Sequence, residues 1–74
     1  MKPEAIKKVF SRRPFRPLEL VLDNGERFVV AHPELALLGE TMIALMPVGA
    51  TDPEIIAPEA VSSIHAVRKR SRRA

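Results

Sequence analysis

A chain of 74 residues with no cysteine, 46% hydrophobic and 28% charged, has room for a single core and excludes both a disulfide framework and a thiolate zinc site. The composition is far from that of disordered chains, and the sequence holds neither an unbroken apolar run of about 18 residues nor the apolar centre of a secretory signal, so a cytoplasmic protein with no membrane span is expected. The net charge of +3 is unevenly spread: residues 1–16 set six cations against Glu4, residues 68–74 carry five cations, and residues 17–67 set Arg27 against eight carboxylates.

Pro3 suits the first turn of a helix, and Ile6, Val9 and Phe10 follow at the spacing that places three apolar groups on one face. The pattern predicts an amphipathic helix over residues 3–12 that ends near Arg13, because Pro14 lacks an amide donor and disfavours the α region in the residue before it. So short a helix is not stable alone in water, and its stripe must dock while Lys7 and Lys8 face solvent. Arg13-Pro14-Phe15-Arg16-Pro17 reads as an extended connector with Phe15 available to plug one end of the core.

Leu18, Leu20 and Leu22 alternate with Glu19 and Val21 as in a half-buried strand, and Asp23-Asn24-Gly25 supplies the strongest hairpin signal in the chain. Residues 26–31 return antiparallel, with Phe28 and Val30 on one side. A strand is expected to restart over residues 34–38 after Pro33 and to turn at Gly39-Glu40. The most apolar run, residues 41–48, reads as a central strand, residues 49–53 as a loop and residues 54–57 as a short strand broken at Pro58-Glu59. In residues 61–67 the spacing of Val61, Ile64 and Val67 is near-helical, whereas β-branched residues and the serine pair favour extension, and a strand is chosen.

The expected fold is mainly β: an N-terminal helix over 3–12, then a small strongly bent antiparallel barrel over 18–67, SH3-like or Sm-like, with about five strands. Residues 1–67 form the single domain, and the basic tail 68–74 lacks apolar residues to hold it down and is expected to be disordered.

Taken together, Arg13-Pro14-Phe15-Arg16-Pro17, Leu22-Asp23-Asn24-Gly25, His32-Pro33-Glu34 and Val61-Ser62-Ser63-Ile64 resemble a group of small uncharacterised bacterial proteins built on an RPFRP, L-D/N-G, HPE, V-x-x-I plan. The resemblance covers roughly residues 10–67, implies a strand at 61–67 and brings no activity with it. A more distant likeness to Sm-like RNA-binding barrels rests on the helix-first order and the Asp23-Asn24-Gly25 turn. The paired Asp, the Met-Asn signature and the Arg-Gly pair of that pattern are missing, which puts Sm-type base recognition in doubt.

His32 and Glu34 stand two positions apart, a spacing open to metal ligands or to a base with its orienting acid, but only His65 could add a second nitrogen. The reading preferred is that His32 caps a turn set by Pro33 and that His65 is a surface or interface strand residue. Among Ser11, Thr41, Thr51, Ser62, Ser63 and Ser71 none lies in a nucleophile-elbow sequence, and Ser62 and His65 would face opposite sides of a strand. Gly25, Gly39 and Gly49 are spread one per turn and form no phosphate loop. Met42 and Met46 fit core filling better than an adaptable binding surface. No catalytic residue, cofactor or metal is therefore expected.

What exceeds a bland domain is the basic character of both ends. Lys7, Lys8, Arg12 and Arg13, with Arg68, Lys69, Arg70, Arg72 and Arg73, can neutralise phosphates of RNA or DNA and release counterions. No aromatic residue is read as interleaved with these runs, and Tyr and Trp are absent, so base stacking has little to work with. The leading expectation is a non-catalytic module acting through protein interaction or self-association, as a dimer or larger homo-oligomer, and the alternative is a nucleic-acid-binding accessory protein.

Overall fold

A computed structural model of the chain describes residues 1–67, and the basic segment 68–74, with the cations expected to bind nucleic acid there, lies outside the described residues. One helix, α1 (Pro3–Phe10), precedes six strands: β1 (Leu18–Leu22), β2 (Arg27–Val30), β3 (Ala36–Leu38), β4 (Ile43–Leu45), β5 (Glu54–Ile56) and β6 (Val61–Ala66). They form two three-stranded antiparallel sheets, ordered β2-β1-β6 and β3-β4-β5. The expectation of a mainly β chain with one N-terminal helix holds at that level, with six described strands in two separate sheets rather than about five in one closed ladder.

The helix closes two residues earlier than expected. The Ser11 backbone N–H donates to the carbonyls of Lys7 and Lys8 at 3.0 and 3.3 Å, and its hydroxyl donates to Lys8 O at 2.9 Å. Arg13 Nη1 donates to Phe10 O at 3.0 Å and to Arg12 O at 2.9 Å, so orphan carbonyls at the helix end are satisfied by a side chain. Ile6 and Phe10 are buried and Val9 is half-buried, while Lys7 and Lys8 are exposed, as the apolar spacing requires.

In β1 the alternation is strict: Leu18, Leu20 and Leu22 are buried beneath the half-buried Glu19 and Val21. Gly25 has φ +92°, and the Asn24 side chain accepts from Glu26 N–H at 2.9 Å, which fixes the β1–β2 hairpin. The core gathers Ile6 and Phe10 from α1, the three leucines of β1, Val30, Ile43, Leu45 and Val61. Phe15 packs against it, 6.0 Å between ring centroids from Phe10, as a plug would.

Two strands are shorter than the sequence pattern promises. Residues 33–35 form a 3₁₀ turn instead of the start of a strand: Pro33 fits its first position, Leu35 N–H donates to His32 O at 3.1 Å, and β3 begins only at Ala36. His32 occupies the cap position with its carbonyl, and its imidazole makes no cap hydrogen bond, contrary to expectation. The run 41–48 contributes only Ile43–Leu45 as strand. Pro47 has no N–H to donate, and the chain changes partner around it: Met46 N–H donates to Leu35 O at 2.9 Å, and Val48 N–H to Val29 O at 2.8 Å.

The ambiguity over residues 61–67 has a geometric source. β6 pairs Leu18 with Ala66, Glu19 with His65, Leu20 with Ile64 and Val21 with Ser63, but Leu22 with Val61, so Ser62 is an extra residue in the ladder. The bulge shifts the alternation by one, which lets Val61 and Ile64, three apart, both turn to the core. A bulged strand thus imitates the apolar spacing of a helix.

Candidate functional site

Two surface features stand out, one apolar and one cationic. The first is the outer face of the second sheet. Register sets Leu37 opposite Ala44 and Ala44 opposite Ile55, so one residue from each of β3, β4 and β5 forms an apolar row across the sheet. Leu37 is 74% exposed and Ile55 60%, and Met42, two residues before Ala44 on the same face, is 50% exposed. The neighbours that face the other way, Ile43 and Leu45, are buried. The core is therefore filled by Ile43 and Leu45, and Met42 does not fill it as expected.

The second feature is a cleft of about 320 Å³ between the end of α1, the connector 11–17 and the end of β6. Half-buried Val9, Phe15 and Ile64 line it, and exposed Arg12, Arg16 and His65 stand around it. Arg13 also lines it but is engaged: beyond its carbonyl bonds, its guanidinium carbon lies 6.0 Å from the Phe15 ring centroid. His65 Nε2 is 2.8 Å from Glu19 Oε1, which also receives Arg27 Nη1 at 3.3 Å. Among the described residues, Arg27–Glu19 is the Arg–carboxylate ion pair, so Arg12 and Arg16 have no carboxylate partner there.

Of the cations expected to meet nucleic acid, among the described residues Lys7 and Lys8 lie on the exposed side of α1 and Arg12 and Arg13 line the cleft. Arg16 and His65 also line it and are absent from the residues expected to bind, as is Phe15, read from the sequence as a core plug, which stands between Arg13 and Arg16 in the chain, so an aromatic is interleaved with the basic run after all. That Arg-x-Phe-Arg spacing is the signal that could have found Phe15 and Arg16, whereas His65 comes from β6. His65 meets Glu19 across the first sheet, while His32 and Glu34 are exposed at the 3₁₀ turn, and among the described residues no three His, Asp or Glu side chains come together as a metal would need. Ser11 donates its hydroxyl to Lys8 O, and Ser62 is the bulge residue. Among the described residues no helix is long and apolar enough to cross a membrane. Neither a family model, nor a curated protein, nor a solved structure matches this chain.

Proposed function

We propose that the protein is a non-catalytic module that self-associates through the outer face of its second sheet. The observation that supports this reading is the Leu37–Ala44–Ile55 row, apolar at all three registered positions and exposed at both ends. Single exposed apolar residues need no explanation, but a registered row across a whole sheet does. The occupant we favour is a second copy of the chain, because a two-fold contact sets the same apolar row against itself and leaves no charge unpaired at its centre. α1 already covers the inner side of the molecule with Ile6 and Phe10, which leaves this outer face as the one in need of a cover.

The architecture we favour within each copy is a small bent barrel of the SH3-like or Sm-like kind, and the resemblance to the RPFRP group of bacterial proteins belongs to the same reading. It is supported by the Val48-to-Val29 hydrogen bond, which joins the segment after β4 to β2 across the two sheets. The test is sedimentation of the full chain over a range of concentrations, with Leu37→Glu and Ile55→Glu as variants. Salt-resistant dimers that both variants dissolve would support the contact, and a monomer at every concentration would remove it.

A second reading, nucleic-acid contact, is favoured by Lys7 and Lys8 in the last turn of α1 and Arg12 just after it, all exposed. Its mark is binding of RNA or DNA that weakens steeply with salt and weakens further when residues 68–74 are removed.

A further inference from the structure

We infer that the cleft between α1, the connector 11–17 and β6 is a binding site for an organic phosphate, a phosphoryl group carried on a flat apolar body. The inference concerns a different surface from the self-association face and stands whether or not the chain dimerises.

Size comes first. A volume of about 320 Å³ lies at the lower end of the roughly 300–1,000 Å³ range of small-molecule sites. The lining is two-sided in chemistry: Val9, Phe15 and Ile64 give an apolar floor, and Arg12 and Arg16 are exposed cations at its margin. No acidic residue lines the cleft.

Charge then selects the ligand. The end of a helix carries partial negative charge on its last carbonyls, which would oppose an anion there. Arg13 removes much of that opposition by donating to Phe10 O at 3.0 Å and Arg12 O at 2.9 Å. The Glu19 carboxylate accepts from Arg27 Nη1 at 3.3 Å and lies 2.8 Å from His65 Nε2, so it already has partners in the first sheet. Arg12 and Arg16 are left to meet a ligand, and planar guanidinium groups suit the oxygens of a phosphate. An apolar floor with two guanidinium groups at its edge therefore fits a phosphate ester whose body packs on Val9, Phe15 and Ile64.

Such a group has two sources, a free small molecule or one nucleotide of a single strand. The experiment is amide chemical-shift titration of the full chain with phenyl phosphate, with a nucleoside monophosphate, and with a single-stranded oligonucleotide lacking terminal phosphates; benzyl alcohol and inorganic phosphate are the half-ligand controls. Saturable shifts at Val9–Arg16 and Ile64–Ala66 with the two monophosphates, stronger than with either control, are expected. Arg12→Gln and Arg16→Gln together should weaken them about tenfold or more while leaving the melting temperature unchanged, because both side chains are exposed. Tighter binding of the oligonucleotide with shifts at the same amides would assign the site to a strand, and weaker binding would assign it to a free molecule. No saturable shift at those amides, or equal affinity in the double variant, would overturn the site; so would an oligonucleotide that moves only amides around Lys7 and Lys8 while the monophosphates move none.

Discussion

Truncating Leu20 to alanine tests the packing on which the rest depends. Leu20 is fully buried at the middle of β1, paired with Phe28 on one side and Ile64 on the other. Removing three carbons forfeits about 2.4 kcal/mol of transfer free energy, at ~0.8 kcal/mol for each. The cavity left between two strands that cannot close adds to this, which places the loss at about 3–4 kcal/mol, within the range seen for buried leucines. A 74-residue domain holds only about 4–11 kcal/mol in total, so the variant should melt roughly 12–30 °C lower. The control is Leu37→Ala on the exposed face of the second sheet, which should change stability by less than about 0.5 kcal/mol in dilute solution, where no partner covers it. Circular dichroism melts of both variants decide the matter. A Leu20→Ala melt within two or three degrees of the parent's (about 0.5 kcal/mol), or an equal loss in Leu37→Ala, would refute the assignment of inner and outer faces.

Gly25→Val should destabilise by more than ~1 kcal/mol, because a β-branched residue resists φ +92°, whereas Glu26→Gln keeps the oxygen that accepts from Asn24 and should leave the urea midpoint unmoved. Gly39→Ala should also destabilise, since a Cβ there would stand 2.7 Å from Met42 O in the β3–β4 turn; an unchanged midpoint would mean the turn relaxes freely. Deleting Ser62 removes the bulge but keeps Val61 opposite Leu22, now two residues from Ile64 and still on the core face, so the melt should move far less than for Val61→Ala, which removes two buried carbons and about 1.6 kcal/mol; a larger loss on deletion would show that the bulge itself is needed. Glu19→Gln removes the charge that faces Arg27 while keeping an accepting oxygen, and both Arg27 and His65 are more than half exposed, so stability should fall by no more than ~1 kcal/mol and less in high salt.

Much of the fold was legible where one physical rule acted alone. Alternation marked Leu18, Leu20 and Leu22, three-four spacing marked Ile6, Val9 and Phe10, and Asn24-Gly25 marked the hairpin, because each pattern is local. Reading failed where tertiary pairing decided. Nothing within residues 41–48 reveals that the partner strand is only three residues long, so the run looked like one strand when it is a short strand followed by a change of partner. The bulge at Ser62 was illegible for the same reason, since an extra residue exists only relative to the strand opposite. The cationic cleft is half legible: Arg12, Arg13, Phe15 and Arg16 stand together in one segment, but Ile64 and His65 join them only when β6 folds back beside the connector. The apolar row was hidden because Leu37, Ala44 and Ile55 lie on three strands and share a face only by register.

The pairing of β6 with β1 also fixes when the protein can be built. Glu19 and His65 meet across 46 residues of sequence, and β1 is the middle strand of its sheet, so half of its hydrogen bonds wait for β6. A ribosome delivers the chain from the N-terminus at about 5–20 residues per second. The β1–β2 hairpin therefore emerges early, and an isolated hairpin is at best marginally stable in water. Until Ala66 clears the exit tunnel, one edge of β1 presents unpaired amides and carbonyls beside Leu18, Leu20 and Leu22. Folding must follow synthesis of β6 instead of tracking elongation, and the nascent chain passes through an interval in which that edge is the surface a chaperone, or another nascent copy, would meet first.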